Sequence, residues 1–362
     1  MFVALRDLRH ARGRFALMLV VITLITFLVT FLASLTAGLS RESTSAITEL
    51  PVDHLAFAMP EAGDDPEFTA STVTQAQWQK WAETPGVARA EPLGVAMTRA
   101  ESTTTASVTA LGVEPTSSLL PDGARDLSDG AIVLSAGAAS ALSVGAGDPV
   151  TIAGQEFQVG SVVDAEVSFA HTPVVWTTLD DWQAIGAPSA NAAGTSQATV
   201  VALTLEPGAS IAATDAAVGT TTVTTAQSRS AISSFSSENG SLTLMQAFLM
   251  AISALVVGAF FTVWTISRSG DVAVLKALGA STPYLLRDAI GQAALVLVLG
   301  VGVGSALAAA GAALLAGVVP VVVGATTTLV PAVVLVLMGL IGASLAIIRI
   351  TRVDPHSALA AH

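Results

Sequence analysis

Four apolar runs decide what this chain can become: residues 15–38, 243–267, 289–319 and 330–348 contain no Asp, Glu, Lys or Arg. A helix of about 20 apolar residues crosses about 30 Å of hydrocarbon, so each run is long enough to span a membrane. Only 12% of the 362 residues are charged and 52% are hydrophobic, whereas soluble domains are about a quarter charged. The expected architecture is therefore a four-span α-helical membrane protein. The long stretch between the first two runs, residues 41–242, forms a separate α+β extracytoplasmic domain.

Charge is divided along the same lines. Residues 41–243 hold 6 Lys and Arg against 23 Asp and Glu, while the rest of the chain holds 9 against 4. Short basic segments at 1–14, 268–287 and 349–352 flank the spans. Because basic loops stay inside, both termini are expected in the cytoplasm of a multi-pass cell-membrane protein, with the acidic domain extracellular. A cleaved signal peptide is weighed and set aside, because an apolar signal core is about 7–15 residues and the first run is longer.

Residues 1–14 place Phe2, Leu5 and Leu8 on one helical face among arginines, which suits an interfacial amphipathic helix against lipid headgroups. In the first span, Thr23, Thr26, Thr30 and Ser34 share one side, a pattern of helix–helix packing. Gly300, Gly302, Gly304, Gly311 and Gly317 in the third span suit close helix contact in the same way.

The outer domain shows strand candidates at His54–Met59, Ala106–Val113 and Ala198–Leu205, and a helix near Ala76–Thr84 carrying Trp78 and Trp81. Its clearest unit is a strand Gly130–Ser135, a helix Ala136–Leu142, a Gly145-Ala-Gly147-Asp148 turn, and a hairpin about Ala153-Gly154. Pro173–Trp176 followed by Leu179–Ile185 repeats the strand-to-helix step. The lone Gly-x-Gly lacks the third glycine and βαβ unit of a nucleotide site and reads as a turn. His54 and His171 are accompanied by no nucleophile-elbow or zinc-helix motif and read as surface or strand residues. There is no cysteine, so disulfides and thiolate chemistry are excluded, and no resident metal site is expected.

Between the second and third spans, within residues 268–288, lies Arg268-Ser-Gly-Asp271-Val272-Ala-Val-Leu275-Lys276-Ala-Leu278-Gly279-Ala-Ser281. Val272, Leu275 and Leu278 recur at helical spacing, so a two-turn amphipathic helix is expected. Asp271 sits in its first turn and Lys276 near its last, as the helix dipole favours. Gly279 can end it in the left-handed conformation. Ser281 or Thr282 can cap the next helix, with Pro283 in or near its first turn.

This segment, its position between two spans, and the tail Arg352-Val-Asp-Pro355-His-Ser-Ala-Leu359 within 349–362 resemble the MacB/FtsX-type permeases of ABC transporters (the type VII superfamily). Many members carry Glu where Asp271 stands. The resemblance implies that Arg268–Ser281 is a coupling helix resting on a separate ATPase, and that the permease is a homodimer. No Gly-x-x-x-x-Gly-Lys-Ser/Thr sequence is present, so the chain is expected to be a transport subunit and not an enzyme, with ATP and Mg on its partner. Expected partners are the cognate ABC ATPase, a second copy of the permease and membrane lipid, and no nucleic acid.

In length and outer-domain size the chain is most similar to heme-export permeases of the HrtB type, which implies heme as substrate and a mechanotransmission mechanism. Candidate contacts are Arg41 and Glu42 beyond the first span, with Met245, Gln246 and Met250 entering the second. Arginine could pair a propionate, and Glu42, Met245 or Met250 could ligate iron. The alternatives are an exporter of lipoprotein, peptide or macrolide, or an FtsX-like activator of a cell-wall hydrolase.

Overall fold

The computed structural model describes residues 12–124, 127–186, 196–267, 270, 274, 279, 281–315 and 318–351. The chain divides into two compact units: Ser40–Asn239, and the residues before and after it.

Among the described residues, four helices are long and apolar enough to cross a bilayer. They are α1 (Arg12–Thr48), α6 (Ser233–Ser267), α7 (Thr282–Leu315) and α8 (Ala325–Thr351). The outer unit supplies α2 to α5 and every strand. The apolar surface of the four helices is buried around Met18, Ile22, Val29, Val257, Phe261, Val296, Leu297 and Val301. Leu17, Val20, Leu24 and Leu28 of α1 and Phe248, Leu255 and Val263 of α6 stay exposed, as side chains facing lipid do.

The hydroxyl stripe of α1 is an interhelical seam. Thr26, Thr30 and Ser34 are 1%, 0% and 1% exposed, and Thr23 Oγ1 donates to the Gly300 carbonyl at 3.3 Å. Gly300 and Gly304 meet that seam: a Cβ on Gly304 would stand 2.6 Å from the Thr23 carbonyl oxygen, and one on Gly300 2.7 Å from Ile22 Cγ2. Gly302 differs from expectation: no described residue outside the local backbone of its own helix comes within 4 Å of where its Cβ would be. Two residues along a helix turn the side chain by about 200°, so it faces away from the seam. Gly311 makes only ordinary contact with Phe27 at 3.7 Å, and Gly317 lies outside the described residues.

Helix ends run past the limits of the apolar runs, as at Thr282 of α7. Helix α1 continues past Gly38 through the polar stretch Ser40–Thr48. Thr44 Oγ1 donates to the Ser40 carbonyl at 2.8 Å and Thr48 Oγ1 to that of Thr44 at 3.2 Å, which keeps these hydroxyls satisfied within the helix. Ile47 then anchors the last turns, being 0% exposed in the outer core. Helix α6 begins at Ser233, ahead of its apolar run. Helix α8 begins at Ala325, so Pro331 lies inside it. Thr327 Oγ1 accepts from the Gly324 amide at 2.9 Å and starts the helix early, leaving the missing proline N–H in the second turn.

The outer unit is one mixed sheet with short helices on it. Its strands are β1 (His54–Ala58), β3 (Val87–Glu101), β4 (Thr105–Val113), β5 (Ala131–Ser135), β6 (Pro149–Ile152), β7 (Gln155–Val163), β8 (Ser168–Phe169), β9 (Thr172–Thr178), β11 (Val200–Leu205) and β12 (Thr220–Thr224). A separate two-stranded ladder pairs β2 (Val73–Thr74) with β10 (Gln197–Ala198). The order is β12-β1-β11-β3-β4-β9-β5-β7-β6, and β6 pairs back onto β3. That return, Ala100 opposite Ile152, closes β3-β4-β9-β5-β7-β6 into a ring. The hairpin at Ala153-Gly154 has both residues at positive φ, 49° and 85°, the backbone of a tight two-residue turn.

Helices α2 (Gln75–Ala82), α3 (Ala136–Leu142), α4 (Leu179–Ala184) and α5 (Ile211–Val218) lie on the sheet. Thr178 caps α4 by accepting from the Asp181 amide, and Trp182 of that helix is 1% exposed. Its ring packs flat on Gly94 and Gly112 of adjacent strands, where any Cβ would overlap it. Trp81 of α2 is likewise 1% exposed, and its indole N–H donates to Thr220 Oγ1 at 3.1 Å. Expected strands and helices appear near their expected limits, with Ala198–Leu205 divided between β10 and β11. Strands β2, β3, β8 and β12 and helix α5 are additions.

Candidate functional site

Two places carry the residues that the sequence singles out. The first is the connection between α6 and α7. Arg268, Asp271, Val272, Leu275, Lys276 and Leu278 lie outside the described residues. Among the described ones, Gly270 and Val274 are helical, and Val274 is 60% exposed. Gly279 has φ 96°, a backbone that lets glycine end a helical turn at no steric cost. Ser281 immediately precedes α7, and its carbonyl accepts from the Tyr284 amide at 3.1 Å. Pro283 falls in the first turn of α7, where no N–H is required.

The second place is in the outer unit, where the last turns of α1 meet the first turns of α6. Arg41 Nη2 lies 3.2 Å from Glu49 Oε1, with both side chains about half exposed. Such a pair contributes about 0–1 kcal/mol, so the guanidinium exchanges partners readily. Glu42 Oε2 is 3.6 Å from His171 Nδ1, and the other ring nitrogen, Nε2, is 2.9 Å from Glu238 Oε2. Ser43 Oγ and Ser234 Oγ, one turn or less away on the same two helices, are 3.2 Å apart.

The local backbone explains why His171 stands there. Ala170 and His171 form the two-residue turn between β8 and β9, with φ 48° and 64°. The Ala170 amide donates to the Ser43 carbonyl at 2.9 Å and the His171 amide to that of Glu42 at 3.3 Å. Ser45 Oγ accepts from the Ser168 amide at 2.8 Å. The hairpin tip is thus tied to α1 by main-chain bonds, and the imidazole is held between carboxylates from α1 and α6. Motif analysis passes over His171 as a neighbour of Glu42, because it belongs to no motif and its partners are distant in the chain. Glu238 carries no sequence signal either.

The other candidates stand within the membrane unit. Met245 is 57% exposed, Gln246 is half-buried, and Met250 packs partly buried against the helix core. The outer unit also contains a cavity of about 110 Å³ lined by Phe68, Val95, Met97, Phe169 and Trp182. Its hydroxyls are already bonded: Ser71 to the Thr199 carbonyl and Thr199 to Val95. Among the described residues no cluster of His, Asp and Glu is arranged to hold a metal ion.

Residues 15–221 match the MacB-like periplasmic core domain, and residues 243–355 match the FtsX-like permease C-terminal domain. The chain is 31% identical over 141 residues to a protein of Staphylococcus epidermidis described as a hemin transport system permease, HrtB. That stretch is 39% of this chain and spans only 40% of the relative's length. An ABC transporter permease of Mycobacterium tuberculosis is 25% identical over 98% of both chains. Among solved structures, the extracellular domain of the ABC-type transporter YknZ from Gram-positive bacteria aligns at 17% identity and TM-score 0.35, covering 48% of this chain and 98% of that one.

Proposed function

The chain belongs to the MacB/FtsX-type family of ABC transporter permeases, and from that membership we propose that it is the membrane subunit of an ATP-driven efflux pump for heme. The observation that carries the cargo is the similarity to the hemin permease of S. epidermidis, 31% identical over 141 residues. The chemistry around α1 supports it. Among the described residues Arg41 pairs with Glu49 at the surface, so it can exchange that partner for a propionate, and Glu42 stands beside an imidazole.

In this proposal ATP and Mg are bound by a separate ATPase subunit that docks on the segment Arg268–Ser281. Two permeases form a dimer, with Arg41, Glu42, Met245, Gln246 and Met250 as contacts for the cargo. Closure of the ATPases moves the membrane helices, and those helices drive the outer domains to expel heme at the outer face. No passage through a central channel is required.

Two measurements test this reading. The first is topology, with both termini in the cytoplasm. A cysteine in place of Asp64, in an exposed loop of the outer unit, should be labelled from outside intact cells, and one in place of Lys276 should not. Outside labelling at 276 would overturn the orientation. The second is cargo. The purified permease should give a saturable hemin spectrum, and hemin should stimulate ATP hydrolysis by the complex with its ATPase. A protein that neither binds hemin saturably nor responds to it is not a heme exporter.

A further inference from the structure

We propose that the outer unit docks an extended, basic segment of a partner protein along the open edge of β3 at Met97, and that one apolar side chain of the segment enters the cavity beside Phe68, Phe169 and Trp182. The proposal goes beyond the assignment of the cargo and does not depend on it.

The backbone of β3 sets the position. Alternate residues of a strand direct their N–H and C=O groups to the same edge, and on the edge facing β11 and β6 these belong to Leu93, Val95, Met97 and Arg99. The Leu93 carbonyl accepts from the Thr199 amide at 3.0 Å, and the Arg99 carbonyl from the Ala153 amide at 3.3 Å. Thr199 Oγ1 serves Val95 twice, accepting from its N–H at 2.8 Å and donating to its C=O at 3.3 Å. Met97 lies in the gap between these ties. The β11 register ends at Val200 opposite Leu93, and the β6 register begins at Ala100 opposite Ile152. Among the described residues the N–H and C=O of Met97 have no partner on this edge, and Met97 is 53% exposed.

Elsewhere the fold closes such positions. Strand β12 is the outermost strand of the sheet. There Asp215 Oδ2 accepts from the Thr222 amide at 3.1 Å, and Gln227 Oε1 from the Thr224 amide at 3.2 Å. An unpaired strand edge is a template for another chain, and filling it with side chains removes the template. The position left open at Met97 is also the one that borders the cavity of about 110 Å³. A residue docked opposite Met97 exchanges both main-chain bonds with it and shares its face of the sheet. On that face Val95 packs with Phe68 and Phe169. An apolar cavity of about 150 Å³ holds benzene, so this smaller one suits a branched aliphatic side chain.

Charge selects the kind of partner. The loop that leads into Phe68 carries Glu61, Asp64, Asp65 and Glu67, all exposed, and no basic residue. At the rim of the cavity Thr69 Oγ1 donates to Glu67 Oε2 at 3.3 Å. Residues 41–243 as a whole hold 6 Lys and Arg against 23 Asp and Glu. A second copy of so acidic a unit is repelled, whereas a segment with basic residues flanking its apolar one is attracted. Docking is then strand addition, in which main-chain bonds hold the segment and the pocket selects its side chain.

The test titrates the full-length permease, in nanodiscs of phosphatidylcholine, with the labelled and acetylated peptide Lys-Lys-Thr-Val-Thr-Lys-Lys. Saturable binding is expected by fluorescence anisotropy. N-methylation of the valine removes the N–H that meets the Met97 carbonyl and should weaken binding about tenfold or more. Replacing the valine by aspartate, or the lysines by glutamate, should weaken it as much. Met97→Pro removes the outward N–H and no bond to β4, and should lose binding to the same extent. Thr69→Trp, at the exposed rim, should do so by closing the mouth of the cavity. Binding that survives Met97→Pro or N-methylation is charge attraction alone and overturns the proposal, as does the absence of saturable binding. Should Met97→Pro not fold, hydrogen exchange in the wild type decides. The peptide should slow exchange at the Met97 amide, and an unchanged rate overturns the proposal. ATP-driven transport of the peptide by proteoliposomes holding the permease and its ATPase would make it cargo and overturn the docking assignment.

Discussion

Leu275→Asp is expected to detach the permease from its ATPase and to abolish cargo-stimulated ATP hydrolysis, while Lys276→Ala should change either property only slightly. The ranking follows from how a short amphipathic helix binds a protein surface. Val272, Leu275 and Leu278 recur at helical spacing in the segment, and a fully buried leucine contributes about 1.5–3 kcal/mol. That is about 10- to 150-fold in affinity from one side chain. Replacing it with aspartate removes this term and adds the cost of desolvating a carboxylate without a partner. Lys276 offers an exposed ion pair, worth about 0–1 kcal/mol, so its loss is small. The described neighbours fit such a docking element: Val274 is helical and 60% exposed, and Gly279 takes the left-handed backbone that ends a turn. Co-purification with the ATPase and steady-state hydrolysis measure both variants. A severe Lys276→Ala beside a mild Leu275→Asp would show that charge, and not burial, couples the subunits.

The membrane helices were legible because their signal is compositional. Twenty residues without a charge admit few other structures, so their cores needed no tertiary information. Their polar ends were not legible. Serine and threonine are weak helix formers, and Ser40–Thr48 reads as the start of a loop. It is helical because Ser43–Ile47 is buried, with Ile47 in the outer core, and Thr44 and Thr48 satisfy their hydroxyls on carbonyls of the same helix. In the outer unit, the hairpin at Ala153-Gly154 announced itself by alternation around a turn dipeptide. Strand β3 did not, because Pro92 and Gly94 interrupt it. Its continuity depends on partners: β11 along its first half, β4 along its second, and the Trp182 ring seated on Gly94. Strand β12 is almost entirely threonine and has no apolar alternation to find.

The candidate site was half legible for a related reason. Arg41 and Glu42 stand out because they are the first charges after a long apolar run. Their partners do not, since Glu238 and His171 are reached only through the fold. Ala170 and His171 carry no glycine or asparagine to mark a two-residue turn, so the turn is recognisable only once β8 and β9 are paired. Linear spacing singles out Glu42, and the folded chain sets its Oε2 3.6 Å from His171 Nδ1.

Gly304→Leu is expected to collapse the yield of folded permease, while Gly302→Leu, two residues away in the same helix, should leave folding nearly unchanged. Composition treats the two glycines alike, so the contrast isolates packing. At Gly304 even a methyl group would stand 2.6 Å from the Thr23 carbonyl oxygen and 2.7 Å from Thr26 Cβ. The first of these is a backbone atom of α1, which no rotamer change can move aside. Relief requires separating α1 from α7, and that breaks the Thr23 to Gly300 hydrogen bond and uncovers Thr26, Thr30 and Ser34, now at most 1% exposed. Overpacking a well-filled core costs about 1–3 kcal/mol, and a separated seam also forfeits the dispersion attraction along its length. Spans hold together by such close packing, because lipid supplies no hydrophobic drive between helices. At Gly302 no described residue outside the local backbone of its own helix comes within 4 Å of the added carbon, so leucine meets only what surrounds the bundle. Size-exclusion recovery and thermal melting of the two variants in the same detergent give the comparison. Equal damage from both would mean that α7 does not pack on α1 along the Gly300–Gly304 face. Normal folding of Gly302→Leu with lost ATP-dependent transport would instead place that outward face against a second copy of the permease.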